Sequence, residues 1–281
     1  MNRKLWSVLA LGCTFAVSAI CAPAQTPEIK EKPRMYTYVA FWTLPRTQWA
    51  DEAKEIAAEQ KMMDKGVSDG QIIAYGNDTN LIHQDGGPTH DDWFSATSMA
   101  GLLNLLDVIY KSGSPTSPVD ASATKHSDAM LVSRYYNWHS GSWKGAYSEA
   151  SMYKLKADAP ENAVDVIAKN LVGPLMEKML ADGVIHEYEI DTEAIHTDAP
   201  GTFWIDYIAA NAEGLDKVSA AIRDAIKANP MGVPVSAPWW TLVSTATIWC
   251  ERTQPTNNSQ SGRPILPVFS REDRLLSNFN S

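Results

Sequence analysis

Cysteine is nearly absent: there are three in 281 residues, and Cys13 and Cys21 fall within the first 24. A chain left with Cys250 alone forms no internal disulfide, so its stability has to come from a hydrophobic core. Positive charge is also short. Twenty-four Lys and Arg stand against 33 Asp and Glu, a formal net charge of −9 that becomes −11 if Arg3 and Lys4 leave with the leader. That balance argues against nucleic acid or an anionic membrane as the main partner. Beyond residue 24 no run is long and apolar enough to cross a bilayer. The sequence carries no G-x-S-x-G elbow, phosphate loop, dinucleotide fingerprint or cysteine-based site, which sets aside the chemistries those motifs serve.

What is present starts with a leader. Arg3 and Lys4 precede an apolar run over residues 5–20, and Ala22-Pro23-Ala24 fits the small-x-small rule for cleavage. Residues 1–24 therefore read as a secretory signal peptide, and the mature bacterial chain is expected in the periplasm or outside the cell, with no membrane contact after leader removal. The remaining residues suit two domains of ~100–150 residues. With 44% hydrophobic and 20% charged residues, the chain can build a core and is not disordered throughout.

An internal repeat organises it. Residues 69–85 reappear at 182–198 as D-G-x-I-x-x-Y-x-x-D-T-x-x-I-H-x-D, at a constant offset of 113. Met63 and Lys65 match Met176 and Lys178, which makes eleven identities in the 24 positions 62–85. Farther on, Trp93 matches Trp204, and Gly101-Leu102 matches Gly214-Leu215. This is the signature of a tandem duplication, with a first repeat over 35–140 and a second over 148–236.

Each copy has the same order of elements. Residues 36–44, rich in β-branched and aromatic side chains, read as a strand, with a weaker counterpart at 151–156. A helix follows: Thr47 is its expected cap, and Trp49, Ala53, Ile56, Ala57, Met63 and Val67 its expected inward stripe. In the second copy residues 161–181 are helical, with Gly173-Pro174 expected to kink or split them. Gly70 and Gly183 sit where helix C-terminal caps sit. Two strands, a second helix and, in the first copy, a last strand at 131–139 complete β-α-β-β-α-β. By period-2 parity, Tyr75 and Tyr188 are expected opposite Ile72 and Ile185, facing the inside of a barrel.

With its helices ending at Asp69-Gly70 and Asp182-Gly183, each followed by a strand carrying Tyr75 or Tyr188, a hairpin and a second helix, the chain resembles the dimeric α/β-barrel superfamily. NIPSNAP-type and antibiotic-biosynthesis-monooxygenase-type proteins belong to it. The resemblance implies an α+β fold in which two ferredoxin-like βαββαβ units pair their sheets, here as a pseudo-dimer within one chain. It also implies small-molecule binding, in some relatives with cofactor-free oxidative or isomerising chemistry.

The C-terminal part breaks the pattern. Residues 237–281 pass into a Pro, Asn, Ser and Gln-rich stretch without periodicity, as a frameshift near Pro238 would leave. The tail is expected to be disordered and the last strand of the second repeat missing, with a sheet edge left open.

Candidate site residues come from the repeat and from one aromatic cluster. His83 and His196 each stand two residues before an acid, as a general base would; Tyr75 and Tyr188 could donate into a pocket. Blander readings are a hairpin histidine and core aromatics. Asp78-Thr79 and Asp191-Thr192 read as turn formers. The loop 83–92, with two histidines and three acids, matches no metal-ligand spacing, so no metal is expected. Arg134, Tyr136 and Trp138 share one strand face and, with Trp42 and Trp143, are candidates to line an aromatic cavity for a small apolar or aromatic ligand. No cofactor is implied, although a haem-handling barrel would need a histidine on a cavity wall. The alternative is a non-catalytic module that binds a partner protein. The expected state is a monomer with an internal pseudo-dimer, or a weak homo-oligomer.

Overall fold

The computed structural model describes residues 28–83, 85–195, 200–228 and 240–253; the leader, His196 and residues 254–281 lie outside the described residues. The first half runs β1 (Met35–Thr43), α1 (Trp49–Ser68), β2 (Ala74–Asn80), β3 (His90–Ala96), α2 (Met99–Ser112) and β4 (Lys125–Trp138). The second half runs β5 (Ser142–Leu155), α3 (Ala163–Ile167), α4 (Gly173–Ala181), β6 (Ile185–Ile195), β7 (Thr202–Ala209), α5 (Ala212–Ala228) and β8 (Trp240–Thr253). A π-helical turn, Ala168–Val172, joins α3 to α4. At Gly173-Pro174 the backbone stays helical, and the expected irregularity takes the form of that π-helical turn, beside a proline that gives no hydrogen bond back to the preceding turn.

All eight strands form one curled antiparallel sheet that closes in the order β1-β3-β2-β8-β5-β7-β6-β4. Read from each half separately, the order is the same: fourth strand, first, third, second. The halves meet where β2 pairs β8 and β4 pairs β6. The segment expected to lack a strand instead supplies β8, which runs along β5 from Ser142↔Thr253 to Leu155↔Trp240. Its β-branched run from Thr241 to Ile248 favours extended backbone even though it lacks strict alternation. No sheet edge is left open there. The second half also begins earlier than residue 148, because β5 starts at Ser142.

Helices cover the outer face of the sheet. In the first half Ile72, Phe94, Leu102, Leu105 and Met130 pack together. In the second half Ile167, Met176, Ile185, Phe203 and Val218 do so. Each such fully buried side chain contributes ~1.5–3 kcal/mol. The Asp-Gly junctions act as caps: Gly70 and Gly183 have φ of 73° and 69°, the left-handed conformation that ends a helix without a Cβ penalty. Gln48, without a side-chain cap hydrogen bond, holds the N-cap of α1 in place of Thr47. Among the described residues no helix is long and apolar enough to cross a membrane.

The parity expectation for the tyrosines fails. Tyr75 lies in the helix-covered core with Ile72, and Tyr188 with Ile185. The Tyr75 hydroxyl donates to Asp64 Oδ1 on α1 at 2.8 Å, and the Tyr188 hydroxyl to Glu177 Oε1 on α4 at 2.7 Å. In β6 the cause is a register shift between Ile185 and Glu187, which uses up one residue and returns the tyrosine to the isoleucine's side. In the first half β2 begins only at Ala74, past an irregular bend at the equivalent point. The barrel interior instead receives the alternate residues, including Asp78, Asp91, Trp93 and Ser95 from the first half and Glu187, Glu189, Asp191 and Asp206 from the second.

Candidate functional site

A cavity of about 90 Å³ lies between α1 and the outer face of the first-half sheet. Tyr38, Ala40 and Trp42 of β1, Tyr75 and Asn77 of β2, and Asp92 and Phe94 of β3 form its floor. Glu52, Glu55, Ile56, Glu59 and Met63 of α1 form its roof, and α2 adds Leu106, Ile109 and Tyr110. Asp120, from a short 3-10 turn after α2, and His126 of β4 complete the wall. Tyr110, 57% exposed, marks where the cavity reaches the surface. An engineered ~150 Å³ cavity takes benzene, so the space as it stands suits a ligand no larger than one ring.

The inward face of α1 is partly the one expected: Ile56, Met63 and Val67 turn to the sheet, but Ala53 and Ala57 are exposed, while Glu52 and Gly66 are buried. Glu52, Glu55 and Glu59 sit at spacings of three and four, on one helical face, and that face lies over the sheet. Where the first half has Glu55 and Glu59, the positions 113 residues later are Ala168 and Val172, which pack into the second-half core. The cavity exists where acids replace that filling.

Five carboxylates line the space, and none of the lining residues is a lysine or arginine. Burial pushes Glu52 up to about 8, with the negative charges of Asp92, Asp120, Glu55 and Glu59 adding to the effect. Burial and the same acidic surroundings raise Asp120 to about 7. Burial raises Asp92 too, but only to about 6, because Asn77 Nδ2 donates to its Oδ1 at 2.6 Å and favours the ionised form. Ser117 Oγ donates to Glu55 Oε2 at 2.7 Å, and Ser114 Oγ bonds Glu59. Glu52 Oε2, buried on the wall, has no hydrogen-bond partner, and the buried Trp42 indole N–H is directed at Asp92. The site therefore offers an indole donor, several proton acceptors poised near neutrality, and aromatic walls.

The sequence candidates are dispersed. Trp42 and Tyr75 meet in this cavity. Tyr188 is buried at 2% exposure in the second-half core, where its space is filled. His83 is exposed and stacks on Trp49 at 5.3 Å, so it lines no cavity; its expected role depended on a hairpin that turns outward. His196 lies outside the described residues. Arg134 pairs with Glu31 Oε1 at 3.0 Å and Asp165 Oδ1 at 2.6 Å near the surface. Tyr136 and Trp138 stack on each other at 5.3 Å, and the Tyr136 hydroxyl donates to the Pro33 carbonyl. A register shift between Ser133 and Tyr135 removes Arg134 from their face. Trp143 stacks on His186 at 4.7 Å, away from Trp42. The cavity's own histidine, His126, stacks on Trp42 at 3.8 Å and is held at 3.0 Å by Asp128 Oδ1. With that ring engaged and the space so small, the residues do not fit a haem. Sequence reading missed Glu52, Glu55, Glu59 and Asp120; the signal was the three-four spacing of acids on α1.

No protein-family model matches the chain, and no curated protein does. Solved structures do. A provisionally designated monooxygenase from Lactobacillus acidophilus NCFM aligns over 78% of this chain and 96% of its own at a TM-score of 0.56, with 12% identity. Another from Fusobacterium nucleatum aligns over 79% and 95% at 0.52, with 7% identity. The fold is that of the ferredoxin-like α/β barrels. At such identities the likeness covers architecture alone, and the cavity carries the functional argument.

Proposed function

We propose that this chain is an exported small-molecule-binding α/β barrel, built by tandem duplication so that two βαββαβ halves pair as a pseudo-dimer. Its ligand occupies the first-half cavity. The repeat at offset 113 and the identical strand order of the two halves support the duplication; the residue 1–24 pattern supports export. The observation that carries the binding reading is the cavity itself, with the Trp42 indole N–H among aromatic walls and five carboxylates. Such a site selects a small aromatic or apolar molecule that is neutral or cationic, and repels an anion.

The same wall supports proton transfer. Asp92, near 6, is matched to take a proton at neutral pH from a bound acidic C–H or O–H. That step opens an isomerisation, or an oxidation without cofactor, the reading the two monooxygenase-designated neighbours motivate. The test is a thermal-shift and tryptophan-fluorescence titration with single-ring neutral, cationic and anionic compounds. Neutral or cationic compounds should raise Tm, and Trp42→Phe should weaken binding by about tenfold, the worth of one hydrogen bond to a buried donor. Equal binding of anions, or an indifferent Trp42→Phe, would defeat the reading. Asp92→Asn should keep binding and lose any turnover.

A second reading, a non-catalytic interaction module, is favoured by exposed Leu103, Val108 and Tyr110 on α2, at 48%, 44% and 57% exposure. Sedimentation that shows self-association, abolished by Leu103→Ser, would support it.

A further inference from the structure

Glu52, Glu55 and Asp120 approach one another closely enough that one ligand oxygen from each lies within 4.8 Å of the others. Oxygens that close together can all reach one calcium-sized ion, whose ligands sit ~2.4 Å from it. Glu52 is 4% exposed, and its Oε2 is buried with no hydrogen-bond partner. The position 113 residues later is Asp165, and there an acid is neutralised by Arg134 Nη2 at 2.6 Å. No lysine or arginine plays that part among the residues lining the first-half cavity. We propose that Glu52, Glu55 and Asp120 form a binding site for a hard divalent cation at the edge of the cavity.

Carboxylate oxygens alone favour calcium, magnesium or manganese over zinc or copper. Three carboxylates supply three to six oxygens, and water completes the shell. Ser117 Oγ, donating to Glu55 Oε2, orients that ligand as outer-shell partners do. The bound charge also offsets the repulsion among Glu52, Glu55, Glu59, Asp92 and Asp120.

The test uses the full chain, treated with chelator and dialysed, with the metal as the only added species. Failure here is therefore separate from failure of the organic-ligand reading. Calcium is titrated calorimetrically, and terbium is titrated with excitation of tryptophan, since Trp42 lines the same cavity. One saturable site per chain is expected, with terbium emission that calcium displaces. Glu55→Gln and Asp120→Asn should each weaken calcium by about tenfold or more, whereas Asp107→Asn, on exposed α2, should not. Both ligand variants replace half-buried groups isosterically; their far-ultraviolet circular dichroism establishes folding before titration. Absence of a saturable site, or unchanged affinity in both folded variants, overturns the proposal. So does binding of an organic ammonium with no calcium competition.

Discussion

Trp93 lies across Gly76 so closely that a Cβ on residue 76 would stand 2.4 Å from the indole ring. The ring is held there because its Nε1 donates to Asp78 Oδ2 at 3.2 Å, two residues along the same strand. Gly76→Ala should therefore displace Trp93 and cost ~1–3 kcal/mol, the usual scale for overpacking. Chemical denaturation checks it, and an unchanged midpoint would mean that the ring moves freely. At this scale the sequence was only partly informative. Tyr75 and Trp42 could be nominated because aromatic residues are conspicuous on strands. Glu52 could not be, because a buried, unpartnered carboxylate contradicts the rule by which inward faces are read. Gly76 looked like any strand glycine until Trp93 was placed on it.

Among the elements, the repeat made most of the architecture legible. The matching Asp-Gly junctions located both helix ends, and the β-α-β-β-α-β order followed from them. Period-2 counting then failed at one irregular residue before Tyr75 and one before Tyr188, because a bulge leaves no mark in hydrophobicity. The inward side of α1 was read correctly at Ile56, Met63 and Val67 and wrongly at Ala53 and Ala57, since alanines suit either face. The strand β8 was missed altogether: it lies in a stretch whose polar and apolar residues do not alternate, and only pairing on both sides defines it. A chain ending at residue 239 would deprive β2 and β5 of their shared neighbour. Such a truncation should lose cooperative unfolding and aggregate, as size-exclusion chromatography and a thermal melt would show. A monomeric product with the full-length melting profile would mean that β8 contributes nothing to closure.

For the molecule as a whole, the notable quantity is the acid enclosed within it. Burial pushes Glu189, Asp191 and Asp206 above the usual carboxylate range, and the negative charge of Glu189 adds to the rise of Asp191 and Asp206. Each holds its proton more tightly folded than unfolded, so the native state binds more protons between its ordinary and its raised value. Their contribution is fully present below about pH 4 and is lost as pH climbs toward 8. Stability should therefore be greater at pH 5 than at pH 8 by at least ~1–2 kcal/mol, read from urea denaturation at each pH. Asp191→Asn should flatten that slope; a protein equally stable at both pH values would refute the assignment of these acids as buried and neutral.

The position of β8 in the chain has a consequence for how the protein is made. It is translated after every strand it joins, so the ribosome releases β2 and β5 long before their common neighbour exists. From residue 155, where β5 ends, until β8 begins at residue 240, the nascent chain holds two ribbons without the neighbour they share. Anything that stalls elongation in that window, or trims the terminus afterward, leaves a molecule able to recruit a stranger's strand. Its biogenesis therefore depends on keeping unfinished copies apart until the final strand arrives.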